Sequence, residues 1–230
     1  MDEFGIIARY FAPLAGDSAF GLRDDAAILP QRAGCDLVVT TDSIAEGVDF
    51  FGFDPPAAIA RKALRVNLSD LAAKGAAPAY YLLNLTLPAT VTPDWLAGFA
   101  EGLAQDQRAF GISLLGGDTS ATDGPFSAAI TAFGFVPQGR MVRRGGARPG
   151  DDVYVTGTIG DSGGGLAIFR REVHSLSDAD RDALIGRYRV PQPPVDFAGT
   201  LREIAHAAVD VSDGLVADLG HVAVASRVRV

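Results

Sequence analysis

The sequence predicts an α/β (α+β) chain of two successive units, and three features of its 230 residues carry that expectation. Across residues 1–139, short apolar, β-branched runs alternate with long runs of helical period. A basic, glycine- and proline-rich crossing, Arg140 to Gly150, then divides residues 1–139 from residues 140–230. Finally, aspartates follow the apolar runs in small, polar or glycine-rich surroundings: Asp24-Asp25, Asp42, Asp70, Asp118, Asp210 and Asp213.

Taken in order, Phe4, Ile7 and Phe11 recur at helical spacing and predict a short amphipathic helix over Asp2–Phe11. Asp36–Thr41 is brief and β-branched, a strand. Pro55-Pro56 opens a helix reaching about Lys74, since proline is tolerated in a first turn. Tyr80–Leu87 reads as a strand, Pro93–Phe110 as a helix, and Ile112–Leu115 and Phe126–Val136 as the strands that complete the first unit. The second unit is expected to begin with a strand over Asp152–Thr156. The glycine-rich GTIGDSGGG then leads into a helix, further helices follow, and a strand over Ala208–Val211 precedes a helix from near Gly214.

The helix after Pro56 has a legible face. At 3.6 residues per turn, Ala60, Ala63, Leu64, Leu68 and Leu71 share one side, and Arg61, Lys62, Arg65 and Ser69 are expected to point away. Asn67, Asp70 and Lys74 fall on or beside the apolar side, where a charge is costly unless paired or metal-bound.

Composition narrows the function. A formal charge of −8 opposes a nucleic-acid partner held through its backbone. No apolar run approaches the ~20 residues needed to span a bilayer, and the acidic N-terminus lacks the basic region of a secretory signal. Cys35 is the only cysteine, so neither an internal disulfide nor zinc–thiolate chemistry is expected, which favours the cytoplasm.

Carboxylates drawn together repel unless a cation lies between them, and hard divalent ions take oxygen ligands. Asp25, Asp42, Asp70, Asp118 and Asp210 are therefore the candidate ligands for magnesium, with Thr40 and Thr41 able to add hydroxyl or carbonyl oxygens. Asp213 precedes a helix and suits a cap as well as a ligand. His174, His206 and His221 are too scattered to suggest a site. Gly116-Gly117-Asp118-Thr119 and Gly157–Gly163 read as glycine-rich loops that could cradle phosphate or simply turn the chain, and Arg143 and Arg144 beside Gly145-Gly146 suit phosphate or solvent. No serine–histidine–aspartate order or reactive-cysteine context supports covalent acyl chemistry.

The stretches DDAAIL, TTDSIAEGVDF, KALRVNLSDLAAKGAAP, LLGGDTS, RRGGARPGDDVYVTGTIGDS and AVDVSDGLVADLGHVAVAS occur in the order found in the thiamine-monophosphate kinases, which the chain resembles over nearly its whole length. That family lies in the aminoimidazole-ribonucleotide-synthetase-like superfamily. The resemblance implies a two-domain fold: an N-terminal metal- and nucleotide-binding domain over residues 1–139, whose mixed sheet forms a barrel across a homodimer, and a second domain over 140–230, here incomplete. It implies ATP-dependent phosphorylation of thiamine monophosphate with several magnesium ions. By motif, Asp25, Thr40, Thr41, Asp42, Asp70, Asp118 and Asp210 would ligate metal, Asp213 a further ion, and Gly117, Asp118, Arg144 and Ser212 would contact the nucleotide. Two positions depart from the family pattern: Arg23 replaces a glycine, and Asp49 stands where a histidine near the acceptor is usual, which predicts weaker or altered acceptor binding. Another phosphorylated acceptor, a non-catalytic nucleotide- or metal-binding module and a carboxylate-based metal hydrolase remain the alternatives.

Overall fold

The computed structural model describes residues 3–173 and 175–230; Asp2 of the expected first helix and His174 lie outside the described residues. The chain opens with α1 (Glu3–Ile6), which continues as a π-helical turn over Ile7–Phe11 and buries Tyr10 and Phe11. Four strands follow: β1 (Cys35–Ala45), β2 (Ala77–Pro88), β3 (Ser113–Thr122) and β4 (Ser127–Pro137). They form one mixed sheet in the order β1-β4-β2-β3. β4 is antiparallel to both β1 and β2, whereas β2 and β3 run parallel. A parallel pair needs a crossover, and α3 (Pro93–Phe110) supplies it. Thr92 caps α3 by accepting the Trp95 N–H, and Gly111 ends it in the left-handed conformation.

α2 (Pro56–Ala73) and α3 lie side by side on one face of the sheet and close the main core. Its centre is Leu64, Leu68, Leu71, Phe99 and Leu103 from the helices against Tyr81, Leu114, Ile130 and Val136 from the strands. On the opposite face Leu37 and Val39 of β1 are exposed. Residues beyond β4 form α4 (Asp161–Phe169), α5 (Asp178–Arg189), α6 (Ala198–Ile204) and α7 (Leu215–Ser226). Among the described residues no helix is long and apolar enough to cross a membrane.

Four expectations from the sequence change. Asp152–Thr156 and Ala208–Val211 are not strands. Extended residues become a strand only when a neighbour takes their backbone groups; the Ala208 N–H instead donates to the Arg143 carbonyl at 3.0 Å, and Val153, Tyr154 and Val155 face solvent. Gly116–Thr119 is not a loop but the middle of β3, in register with Leu82–Leu85. Gly117 is required there: at φ 152° a Cβ would collide with the Leu83 carbonyl.

The fourth change concerns α2. Lys62 and Arg65 do not point into solvent; they are 8% and 5% exposed. The side of α2 turned from the sheet is itself covered, by α3 and by the end of α5. Arg65 forms a forked pair with Asp106 of α3, Nε to Oδ2 at 2.7 Å and Nη2 to Oδ1 at 2.8 Å, while Nη1 donates to the Pro191 carbonyl at 2.9 Å. Arg61 adds a longer contact at 3.2 Å. Asp106 is 1% exposed, so removing it strands a buried cation. Asp106→Ala is expected to lower unfolding free energy by about 3–5 kcal/mol, read from urea denaturation; a change below about 1 kcal/mol, the range of an exposed pair, would refute the buried pairing.

Candidate metal and nucleotide site

β1 alternates its side chains, so Thr40 and Asp42 face α2 while Thr41 faces the other side of the sheet. The Thr40 hydroxyl donates to Asp70 Oδ2 at 2.5 Å, joining the strand to the helix. Thr41 is committed elsewhere: its hydroxyl donates to the Ile130 carbonyl at 3.1 Å and accepts from Thr131 at 3.1 Å. As a ligand Thr41 could then offer only its backbone carbonyl.

The last turn of α2 gathers the second half of the site. Lys74 donates through Nζ to the Ala208 carbonyl at 2.9 Å, and its own carbonyl accepts the Val142 N–H at 3.1 Å. Arg202 closes the same corner on the Gly75 carbonyl. These bonds bring Asp210 against Asp70 and set Arg144 within electrostatic reach of Lys74. Burial, then the Asp70 charge, raise Asp210 above the usual carboxylate range, while a hydrogen bond from Ser69 opposes the shift. Burial, then the Asp70, Asp210 and Asp49 charges, push Asp42 up to about 6. Burial and then Arg144 lower Lys74, against the pull of Asp210 and Asp70. Asp42, Asp49, Asp70 and Asp210 thus share one field, with Lys74 and Arg144 at its rim.

The donors facing that field are oxygens of aspartate and threonine, with no cysteine or histidine among the groups named, and their charges are only partly offset. That chemistry fits a hard divalent cation such as magnesium. Asp49 stands at the margin: its Oδ2 accepts the Ala45 N–H at 2.8 Å and so ties the turn after β1.

Two predicted residues lie elsewhere. Asp118 is exposed on β3, where it accepts from Ser120 at 3.1 Å. Asp25, held at φ 55°, follows a 3-10 segment (Asp17–Leu22) that packs on β3. β3 is the opposite sheet edge from β1, so Asp118, and with it the segment leading to Asp25, is set apart from the Asp42 group.

A third group opens α7. Asp218, absent from the predicted set, is buried and accepts the Ser212, Asp213 and Gly214 N–H groups at 3.0, 3.1 and 3.1 Å. It fixes the turn that carries Ser212 and Asp213. Ligand atoms of Asp213, Asp218 and His221 come within 4.8 Å of one another. The signal was present in VSDGLVADL: an acid in the first helical turn can reach back to the N–H groups before it.

Comparison with known proteins places this arrangement in context. Residues 23–136 match the family model for the AIR synthase related protein, N-terminal domain. The chain is 49% identical to the thiamine-monophosphate kinase of Caulobacter vibrioides over 99% of its own length and 64% of that protein's. It is 44% identical to the Escherichia coli K12 enzyme of the same name, over 97% of this chain and 69% of that one. The chain thus spans about two thirds of the length of these curated relatives. Among solved structures, thiamine-monophosphate kinase from Stenotrophomonas maltophilia K279a superposes with a TM-score of 0.86 at 42% identity, over 99% and 73% of the two chains. AaThiL, solved in complex with AMPPCP and TMP, does so at 0.79 with 33% identity, over 98% and 70%.

The raised Asp42 carboxyl makes stability depend on pH. Folding moves it from 3.8 to about 6, so between those values the folded chain keeps a proton that the unfolded chain has released. Without a cation, this contribution to stability is full below pH 3.8 and is lost as pH rises to about 6. Asp42→Asn is expected to flatten that slope, stabilise the cation-free protein at neutral pH by roughly 1 kcal/mol after solvent screening, and abolish the rise in Tm on adding magnesium. Thermal melts across pH with and without magnesium check all three; an undiminished magnesium response in the variant rules the cluster out.

Proposed function

This chain belongs to the thiamine-monophosphate kinase family, and from that premise we propose that it transfers the γ-phosphoryl group of ATP to thiamine monophosphate, giving thiamine diphosphate and ADP. The observation that carries the reading is the shared field of Asp42, Asp70 and Asp210, built from oxygen donors and short of positive charge. Magnesium held there by these carboxylates with Thr40 and Thr41, and by Asp213 at a further position, would neutralise the phosphate charge. Arg144 and Ser212 would contact the nucleotide, and Lys74, within electrostatic reach of Arg144, would offset part of the charge that remains. An oxygen of the acceptor phosphate forms the new bond to the γ-phosphorus as the bond to the bridging oxygen breaks, and that electron pair leaves with ADP. The acceptor oxygen is already anionic, so no protein base has to remove a proton; positioning and electrostatics are what the chain must supply.

A homodimer belongs to the same proposal. In the sheet register Asp42 aligns with Ile130, Leu83 and Gly117, so Asp118 sits one residue beyond the Asp42 row and three strands away. Three spacings of ~4.8 Å make about 14 Å, whereas oxygens sharing one magnesium at ~2.1 Å each lie only about 3–4 Å apart. Within one chain Asp118 cannot share an ion with Asp42. Closing two sheets into a barrel, the β1 edge of one subunit beside the β3 edge of the other, would bring Asp25 and Asp118 to the partner's Asp42, Asp70 and Asp210, with Gly117 and Asp118 reaching the nucleotide. The exposed apolar residues on the outer sheet face, Leu37 and Val39, support that closure. A cytoplasmic location, without a nucleic-acid or membrane partner, completes the reading.

Incubation with ATP, magnesium and thiamine monophosphate is expected to yield thiamine diphosphate; nucleotide binding without that product would reject the reaction. Subunit mixing tests the shared site. Asp42→Asn and Asp118→Asn homodimers should each be inactive, while an equimolar mixture recovers about a quarter of wild-type activity, since half the dimers are hybrids and each hybrid holds one intact site. A mixture as inactive as its parents would confine the site to one chain.

A further inference from the structure

The loop between β1 and α2, residues 46–54, is held more tightly than a surface connection needs. The Asp49 carbonyl accepts Lys62 Nζ at 2.6 Å and the Tyr188 hydroxyl at 3.3 Å. Asp54 Oδ2 accepts the Phe51 N–H at 2.9 Å, and its Oδ1 accepts Arg189 Nε at 2.6 Å. Tyr188 and Arg189 end α5, so the loop is clamped between α2 and the helical part of the chain. What this clamp displays is aromatic. Phe51 and Phe53 stack at 5.1 Å with their planes 5° apart, and Phe169 supports both from 5.2 and 5.4 Å. Tyr188 closes the inner side of the cluster, 5.9 Å from Phe51. Phe53, at the outer end of the stack, is 64% exposed.

The inner rings already show which partner these faces take. Lys62 Nζ lies 3.8 Å from the Tyr188 ring centre, and Arg189 Cζ lies 5.1 Å from that of Phe169. Among the described residues no cation covers Phe51 or Phe53. The same loop carries the carboxylates of Glu46, Asp49 and Asp54. A rigid, exposed π face whose loop also carries the carboxylates of Glu46 and Asp49 complements a cationic ring better than an anion or a neutral apolar group. Its distance along the chain is short: β1 ends at Ala45, three residues after Asp42, and the loop begins there.

We propose that the outer face of Phe53, stacked on Phe51, is the platform that receives the cationic ring of the phosphate acceptor. This rests on the kinase reading, in which that ring is the thiazolium of thiamine monophosphate, its phosphate directed toward Asp42. Phe53 is then a specificity-determining residue, selecting acceptors that carry a positive ring.

Equilibrium binding separates this role from packing and needs no turnover. Calorimetry with magnesium and a non-hydrolysable ATP analogue present would compare thiamine monophosphate with phenyl phosphate, whose ring is neutral. Phe53→Leu keeps apolar bulk without a π face and should weaken thiamine monophosphate about fivefold while leaving phenyl phosphate unchanged; Phe53→Trp should match or exceed the wild type. Equal affinity for thiamine monophosphate in all three proteins overturns the platform and leaves the kinase reading standing. So does an equal loss for both esters, the mark of plain apolar contact. Altered sedimentation of Phe53→Leu with unchanged acceptor binding assigns the face to a second copy instead and also overturns it. No binding of thiamine monophosphate by the wild type, with nucleotide bound, overturns platform and reaction together. Phe53-dependent binding without phosphoryl transfer overturns only the reaction.

Discussion

Helix α2 is buried on both sides; two of its basic side chains, Lys62 and Arg65, lie inside rather than in water, and Lys74 at its C-cap is half-buried. An ammonium or guanidinium removed from solvent is tolerated only where oxygens replace its hydration. Lys62 finds the Asp49 carbonyl, Arg65 finds Asp106 and the Pro191 carbonyl, and Lys74 finds the Ala208 carbonyl. Each of those oxygens lies on a different segment. Satisfying one helix therefore fixes the loop after β1, the crossover helix α3 and two connections of the helical part. Burial lowers Lys62 to about 8 against the opposing pull of Asp54 and Asp49, so the arrangement carries a measurable electrostatic cost.

The same helix locates the site. Asp70 belongs to its last two turns, one helical turn before Lys74, and the carbonyl that anchors Lys74 lies two residues from Asp210. The bond that satisfies a buried cation thereby delivers a second carboxylate to the first. Asp42 joins them from β1, where the Asp70 and Asp210 charges raise its proton affinity as Asp70 raises that of Asp210. Stability and cation binding oppose each other at this point: a field that favours a bound cation is a repulsion when none is there.

Much of the plan was legible in the sequence. The long elements, α2, α3, β2 and β4, follow from periodicity and from proline and glycine at their ends. By sequence Asp42, Asp70 and Asp210 group with Asp25 and Asp118, because a hard cation explains aspartates that follow apolar runs. Less was legible where partners decide. Asp152–Thr156 has strand composition and no ladder; Gly116–Thr119 has loop composition and lies in a ladder. Lys62 and Arg65 look solvated on a helical wheel because the wheel cannot show that α3 and α5 cover that side. Asp218 escaped notice because its role lies in three N–H groups contributed by the turn before it.

By itself, then, the sequence determined the alternation of elements, the oxygen-only character of the candidate ligands and the family to which the chain belongs, since these depend on residue type and near-neighbour spacing. Tertiary structure decided which acids share a field. Asp42 and Asp118 are equivalent in the sequence, each an aspartate after an apolar run, yet pairing β4 and β2 between their strands sets them on opposite edges of the sheet. Strand order is fixed by long-range burial and hydrogen bonding, and no local pattern of residues encodes it.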